Sequence, residues 1–148
     1  NFVLNPVGVG RFLALPSSLL LANPAPMTSL PRPTRIVLHQ RSRALEVVFE
    51  DDSHYNLSCE YLRVYSPSAE VRGHGPGQEV LQTGKEAVNI TQVEAIGAYA
   101  VKLHFDDGHN TGIYSWETLH DLGMHQEDYW QAYLEELAKA GYQRKAVS

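Results

Sequence analysis

The most chemically suggestive stretch of the chain is an acidic turn that carries a histidine: Asp106 and Asp107, then Gly108, then His109. Iron, zinc and manganese accept imidazole and carboxylate together in mixed nitrogen and oxygen sites. Asp106, Asp107 and His109, with His74 as a further donor, therefore form a candidate iron or zinc site. The competing interpretation is a hairpin turn, in which the aspartates cap backbone amides and Gly108 takes a positive φ. The sequence contains no His-x-x-x-His or Cys-x-x-Cys pair that would favour the metal.

A second stretch leads basic, aromatic and imidazole groups into a glycine-rich loop. The candidate ligand or partner patch consists of Arg63, Tyr65, Arg72, Gly73, His74, Gly75, Tyr114 and Trp116. Guanidinium groups and exposed glycine amides are suited to an anionic ligand or an acidic segment of a protein partner. In the alternative interpretation, Arg63 and Arg72 pair with carboxylates such as Glu60, Glu70 or Asp107 and only hold the loop in place. Tyr114 and Trp116 also fit a core, where aromatic residues of a strand usually pack.

No catalytic set accompanies these groups. Cys59 shares a predicted strand face with apolar residues, which favours a small buried side chain over a reactive thiol. Ser115 lacks the Gly-x-Ser-x-Gly elbow of serine hydrolases. The loop from Gly73 to Gly77 lacks the Lys-Ser/Thr end of a phosphate-binding loop. We therefore expect a protein that is not an enzyme.

Composition narrows the function further. A chain of 148 residues suits one domain with a sizeable core. Its formal net charge of −5 argues against nucleic acid as a partner, because phosphate binding depends on clustered Lys and Arg. The single cysteine excludes an intramolecular disulfide and indicates a reducing, cytoplasmic setting.

The first 26 residues differ from the rest, because Arg11 is their only charged side chain. The apolar run from Phe12 to Ala22 is broken by Pro16 and is too short to cross a membrane. A secretory signal is one interpretation. We expect instead that residues 1–26 are a disordered or non-native N-terminal extension, since Met27 fits an initiator, and that residues 27–148 form the domain.

Two hairpin units must position the candidate groups. Alternating apolar residues predict three antiparallel strands within residues 34–59, followed by a helical turn or two near residues 60–65. A loop is predicted for residues 66–84, with a short strand at residues 79–82. Strands are then predicted at residues 88–96, 100–105 and 111–116. The order of strand, acidic turn with histidine, strand and short helix thus occurs twice.

Two helices are predicted to close the chain. The first begins at Trp116 and ends at Gly123, a residue type that commonly stops helices. The second carries Tyr129, Tyr133 and Leu137 at helical spacing, with acidic residues near its start. The fold class is therefore α+β, a small antiparallel sheet of two hairpin units with short helices and a C-terminal helix.

Three segments carry a resemblance to a known family: YLRVYSPSAEVRGHG at residues 61–75, FDDGH at 105–109 and GIYSW at 112–116. Together they resemble the DUF971 family, also called the γ-butyrobetaine hydroxylase-like N-terminal domain, over residues 34–123. The resemblance implies a domain that occurs as a small stand-alone bacterial protein. It also implies a module attached to γ-butyrobetaine and trimethyllysine hydroxylases or to some Mrp-type iron–sulfur carrier proteins.

The resemblance limits the chemistry in two ways. The iron and 2-oxoglutarate of those hydroxylases are bound by a separate domain that no part of this chain resembles. The eukaryotic modules hold a structural zinc with three closely spaced cysteines and a histidine. Here the cysteine segment matches residues 65–71, which contain no cysteine, and the histidine matches His109. Three of the four zinc ligands are therefore missing.

We accordingly expect a small non-catalytic binding or adaptor domain. Its partner is expected to be a protein linked to iron–sulfur or 2-oxoglutarate enzymes, with neither nucleic acid nor a membrane involved. The alternative function is metal binding, with iron or zinc held by His109 and nearby carboxylates. The sequence fixes neither the partner nor the oligomeric state.

Overall fold

A computed structural model of the protein describes residues 2–4, 31–73 and 77–146. The prediction of an extension at residues 1–26 concerns residues that, apart from Phe2–Leu4, lie outside the described part. The backbone of Phe2–Leu4 forms strand β1, which pairs with the edge of the first sheet.

The first sheet has the antiparallel order β1-β2-β3-β4. Its remaining strands are β2 Pro33–His39, β3 Ala44–Phe49 and β4 His54–Ser58. Leu45, Val47 and Phe49 alternate along β3 and are all buried, because successive side chains of a strand point to opposite faces. The prediction of three antiparallel strands within residues 34–59 is confirmed.

The second sheet has the antiparallel order β5-β6-β7. Its strands are β5 Ile90–Ile96, β6 Ala100–Phe105 and β7 Ile113–Ser115. The register between β5 and β6 shifts between Ile90 and Gln92, so the sequence pattern is interrupted there although the strand continues.

Four helices accompany the sheets in the described part of the chain. They are α1 Cys59–Val64, α2 Ala69–Arg72, α3 Trp116–Met124 and α4 Gln126–Lys139. The hydroxyls of Ser58, Ser68 and Ser115 accept the backbone N–H groups that begin the first three helices. Helix α2 lies in the predicted loop, and residues 79–82 form no strand, so that prediction is wrong.

Both sheets and helices α1 and α3 bury their apolar faces in one core. The core residues from the first sheet and α1 are Ile36, Leu38, Leu45, Val47, Phe49, Leu57, Cys59, Tyr61 and Leu62. They pack with Val88, Ile90, Val93, Val101, Leu103, Phe105, Tyr114, Trp116, Leu119 and Leu122. The α+β class is therefore confirmed, and each sheet leads directly into a serine-capped helix. Among the described residues, no helix has both the length and the apolarity needed to cross a bilayer.

Gly123 does not end the first predicted helix, which continues to Met124 with His125 as its C-cap. A Cβ atom at Gly123 would overlap the ring of Tyr55 from strand β4. The glycine is therefore required for the close approach of the helix to the first sheet.

We predict that Gly123→Ala destabilises the protein by about 1–3 kcal/mol, because overpacking against the Tyr55 ring outweighs the gain in helix propensity. Helix propensity alone predicts the opposite, a gain of about 1 kcal/mol in the free energy of unfolding. Urea unfolding of wild type and Gly123→Ala distinguishes a loss from a gain. A more stable Gly123→Ala protein would contradict the packing explanation.

Candidate functional site

The acidic segment after β6 is a turn with both aspartates bonded to backbone amides. Gly108 has a φ of +91°. Asp107 Oδ1 accepts the N–H of His109 at 3.1 Å, and Asp106 Oδ1 accepts the N–H of Asn89 at 3.0 Å. The turn interpretation of this stretch is therefore confirmed.

The imidazole of His109 is buried, with the residue 5% exposed, and both ring nitrogens have partners. Nδ1 lies 2.8 Å from Glu70 Oε1, and Nε2 lies 2.9 Å from Ser66 Oγ. Because a carboxylate only accepts, we assign the ring proton to Nδ1 and the role of donor to the serine hydroxyl. Burial, with Arg63 nearby, lowers the pKa of His109 despite the opposing carboxylates, so the ring is neutral at neutral pH.

The contacts of His109 extend into a hydrogen-bond network between two loops. Thr111 Oγ1 donates to Glu70 Oε1 at 2.9 Å and lies 2.6 Å from Ser68 Oγ. Ser68 Oγ also accepts the N–H of Glu70 at 3.2 Å, which begins helix α2. The network thus joins the loop that precedes β7 to the start of α2.

Ser66, His109 and Glu70 follow the order of contacts found in a hydrolytic triad. Ser66 is fully buried, however, and a Cβ atom at the neighbouring Gly112 would collide with its hydroxyl. In this conformation the hydroxyl does not face a substrate. The three groups therefore hold the loops together and present no nucleophile.

A second set of contacts surrounds the guanidinium of Arg63, whose side chain is 9% exposed. Its Nε donates to Asp107 Oδ2 at 2.9 Å, and its Nη1 donates to Gln82 Oε1 at 3.0 Å. Lys85 Nζ donates to the same aspartate oxygen at 2.7 Å. Arg63 is therefore a buried structural residue, and its predicted place in a surface patch is wrong.

The pKa of Asp107 reflects this cluster. Partial burial alone would raise it, but the hydrogen bonds from Lys85, from the His109 amide and from Arg63 outweigh burial and bring the pKa to about 2. The carboxylate is thus ionised at any physiological pH and neutralises the buried guanidinium.

The predicted metal ligands do not converge. Asp106 caps the amide of Asn89, Asp107 is held by Arg63 and Lys85, and both nitrogens of His109 are occupied. Among the described residues, no group of three or more His, Cys, Asp or Glu side chains is arranged to hold a metal ion. His74, the fourth predicted ligand, lies outside the described residues. The iron or zinc site predicted from the sequence therefore has no support here.

The two aromatic members of the predicted patch at the end of the second sheet are core residues. Tyr114 is fully buried, and its hydroxyl donates to the carbonyl of Leu62 at 2.5 Å. Trp116 is 7% exposed, and its Nε1 donates to the carbonyl of Ala98 at 2.8 Å. Neither belongs to a surface patch, because each places its ring in the core and bonds its polar atom internally.

Tyr65, Arg72 and Gly73 do lie near the surface. Tyr65 is half-buried, with its hydroxyl donating to the carbonyl of Tyr129 at 2.6 Å, and Arg72 is exposed. Gly73 has a φ of +73°, and a Cβ atom there would collide with the carbonyl oxygen of Gln78. Gly75, like His74, lies outside the described residues.

Tyr65 and Arg72 line a groove of about 750 Å³. The apolar and aromatic side chains that line it are Val64, Tyr65, Val71, Val80, Leu81, Leu122, Met124, Tyr129 and Tyr133. Helices α1, α2, α3 and α4 all contribute lining residues, and the irregular residues 79–82 complete the wall. In volume, the groove falls within the range of ligand sites, about 300–1,000 Å³.

Three long-range hydrogen bonds hold the irregular wall in place. The N–H of Val80 donates to the carbonyl of Val71 at 2.8 Å. The hydroxyl of Tyr133 donates to the carbonyl of Gln82 at 2.7 Å, and the Gln82 side chain accepts from Arg63. The cluster around Arg63 therefore supports one wall of the groove directly.

Charged groups along the groove are mostly acidic. Glu79, Glu117, Asp121 and Glu136 line it, and Arg72 is the one Lys or Arg side chain among the described lining residues. Asp121 lies 3.0 Å from His125 Nδ1 and accepts from the Tyr129 hydroxyl at 2.9 Å. A groove with an apolar floor and carboxylates at its rim is suited to binding rather than to covalent chemistry.

Several of these residues were not singled out by the sequence analysis. Ser66 and Glu70 contact His109, and a signal existed, because the resemblance matched residues 65–71 and His109 to one zinc site. Gln82 and Lys85 were missed for lack of any pattern. The acidic rim was missed because its four carboxylates come from three separate parts of the chain.

Comparisons with known proteins agree with this architecture. Residues 36–120 match the family model described as gamma-butyrobetaine hydroxylase-like, N-terminal. One similar NMR solution structure is 48% identical, with a TM-score of 0.69, covering 84% of this chain and 96% of that chain. A second NMR structure is 44% identical, with a TM-score of 0.69, covering 81% of this chain and 94% of that chain.

A crystal structure from Acidithiobacillus ferrooxidans is also similar, and that protein is described as one of unknown function in the DUF971 family. It is 41% identical, with a TM-score of 0.53, and the match covers 62% of this chain and 92% of that chain. A comparison with curated proteins produced no match.

The buried ion cluster generates one prediction. Asp107→Asn leaves the guanidinium of Arg63 without a countercharge, so we expect a loss of about 2–4 kcal/mol in the free energy of unfolding. The adjacent Asp106→Asn is the matched control and should lose less than about 1 kcal/mol, because it alters only an exposed amide cap. Chemical denaturation measures both. Equal losses in the two variants would contradict the assignment.

The lowered pKa of His109 leads to a prediction about how the stability of the protein depends on pH. Since folding favours the neutral ring, its contribution is fully present above an unfolded pKa of 6.5 and is lost as the pH falls below that value toward the folded pKa. We expect His109→Gln, which keeps polar contacts but does not titrate, to reduce the stability difference between about pH 7.5 and pH 5.5. Urea unfolding at both pH values measures the free energy of unfolding of each protein. If the difference between the two pH values is the same in His109→Gln as in wild type, the burial argument is wrong.

Proposed function

Because the chain belongs to the gamma-butyrobetaine hydroxylase-like N-terminal family, which includes DUF971 proteins, we propose that it is a non-catalytic domain that docks a protein partner in the groove. The observation that carries the proposal is the concentration of exposed apolar side chains there. Val80 is 53% exposed, Leu81 37% and Met124 56%. Exposed apolar residues that cluster, unlike single ones, mark interaction sites.

The distribution of the other exposed apolar residues strengthens this point. Besides Val80, Leu81 and Met124, the large exposed apolar side chains among the described residues are Tyr99 and Ile113. Neither of these two lines the groove. Most buried apolar side chains of the described part pack into the core that the two sheets share or into a smaller cluster of Val64, Tyr133 and Leu137. The groove is therefore the place where this part of the chain leaves most apolar surface in contact with water.

In the described part of the chain, the groups that could take part in catalysis are engaged in internal contacts, which supports the proposal of a binding role. Ser66 is sealed by its neighbours, His109 is buried, and Asp107 is engaged by two cations. Each of these groups serves an internal contact in the described structure. The family resemblance suggests that the partner is linked to iron–sulfur or 2-oxoglutarate enzymes, and it is part of this proposal that the domain serves such a protein as an adaptor.

We predict that Leu81→Ser combined with Met124→Ser removes the specific partner, because the variant deletes apolar contact surface without touching the core. The measurement is quantitative affinity capture with the full chain as bait, comparing each retained protein between variant and wild type. Arg63 is unsuitable as a probe, because it is buried and its replacement would disturb the fold.

The matched control is Tyr99→Ser combined with Ile113→Ser, which removes exposed apolar surface outside the groove. Thermal unfolding of both variants verifies that they remain folded. At least one partner should be retained by wild type and control and lost from the groove variant. Identical sets of retained proteins for all three baits would contradict the proposed function.

A further inference from the structure

We infer that the groove selects a protein segment that combines apolar side chains with lysine or arginine. This inference rests on the proposed function and adds the chemistry of the partner. It is carried by the charges that line the groove, four carboxylates against the single guanidinium of Arg72. A partner of opposite charge is attracted to such a site and a partner of like charge is repelled.

The carboxylates come from three of the five segments that line the groove. Glu79 belongs to the irregular wall, Glu117 and Asp121 to α3, and Glu136 to α4. The negative charge of the lining is therefore not confined to one helix.

Two of these carboxylates have no competing cation among the residues that the structure describes. Within the described ranges, neither Glu79 nor Glu117 forms an ion pair with Lys, Arg or His, and both are exposed. Asp121 pairs with His125, and Glu136 lies 3.8 Å from Lys139 with both side chains largely exposed. Exposed pairs of this kind are weak, so both carboxylates remain open to a partner's cation.

The aromatic side chains of the groove supply apolar surface beside these carboxylates. The rings of Tyr65 and Tyr129 contact each other, with centroids 5.5 Å apart, and the His125 ring stacks on Tyr129. The methylene stems of lysine and arginine pack on apolar surface while the charged head stays in water. Lysine and arginine therefore suit a groove that combines apolar side chains with carboxylates.

The size of the groove limits the partner to a short segment. About 750 Å³ accommodates a few side chains, not a folded surface. Exposed Val80, Leu81 and Met124 supply the apolar part of the contact. An acidic partner, which the sequence suggested through Arg63 and Arg72, is disfavoured because the guanidinium of Arg63 is buried against Asp107.

The test uses the full chain and two fluorescent synthetic peptides of about ten residues, one of leucine and lysine and one of leucine and glutamate. Fluorescence anisotropy measures the affinity of each. We expect the leucine–lysine peptide to bind and the leucine–glutamate peptide not to bind. The double variant Glu79→Gln, Glu117→Gln should weaken the leucine–lysine peptide by about fivefold, as two surface charge contacts would.

The control, Glu94→Gln with Glu135→Gln, removes the same charge at exposed positions outside the groove and should leave the affinity unchanged. Equal effects of the two double variants, or equal binding of the two peptides, would overturn the inference. So would a concentration-dependent dimer that only the groove substitutions dissociate, because the groove would then belong to a second copy of the chain.

Failure of this inference and failure of the proposed function give different results. If partner capture depends on Leu81 and Met124 but the charge variants do not alter peptide binding, docking in the groove is supported and a basic partner is contradicted. If capture does not depend on Leu81 and Met124, the proposed function itself is contradicted.

Discussion

The burial of one guanidinium constrains the rest of this structure. A charge removed from water must be paired and hydrogen-bonded, or it costs several kcal/mol. Arg63 meets that requirement with two partners distant in the chain, Asp107 from the turn after β6 and Gln82 from the irregular wall. Helix α1 is thereby joined to the second sheet and to the groove at a single point. Lys85 adds a second cation to the same aspartate, so the turn cannot move without exposing the cluster.

A second hydrogen-bond network, centred on the neutral ring of His109, lies beside the Arg63 cluster. His109 joins Ser66 and Glu70 within the segment that leads into α2, while Asp107 holds the His109 amide. Two short loops that lack regular structure are thus fixed by side chains rather than by a sheet. Residues of this kind resemble a catalytic or metal site in the sequence, because polar groups are conspicuous there. In the structure they serve to position the walls of a groove.

The sequence predicted the parts of the fold that depend on local pattern. Alternation of apolar and polar residues located the strands of both sheets. Local pattern failed where tertiary contacts decide. Residues 79–82 have no partner strand among the described residues. Gly123 lies inside a helix, at the point where the Tyr55 ring packs closely against it. For Arg63 the sequence left a surface patch and an ion pair as alternatives, and the structure confirms the pair with Asp107, which lies 44 positions away.

If the Arg63 cluster holds the groove wall in place, the amide of Val80 should report it, because this N–H donates to the carbonyl of Val71 and belongs to the wall itself. Hydrogen exchange of the Val80 amide, followed by NMR in wild type and in Asp107→Asn under conditions where both are folded, measures local opening. We expect protection in wild type and a marked loss of it in the variant. Equal protection in both proteins would show that the wall is held without the ion cluster.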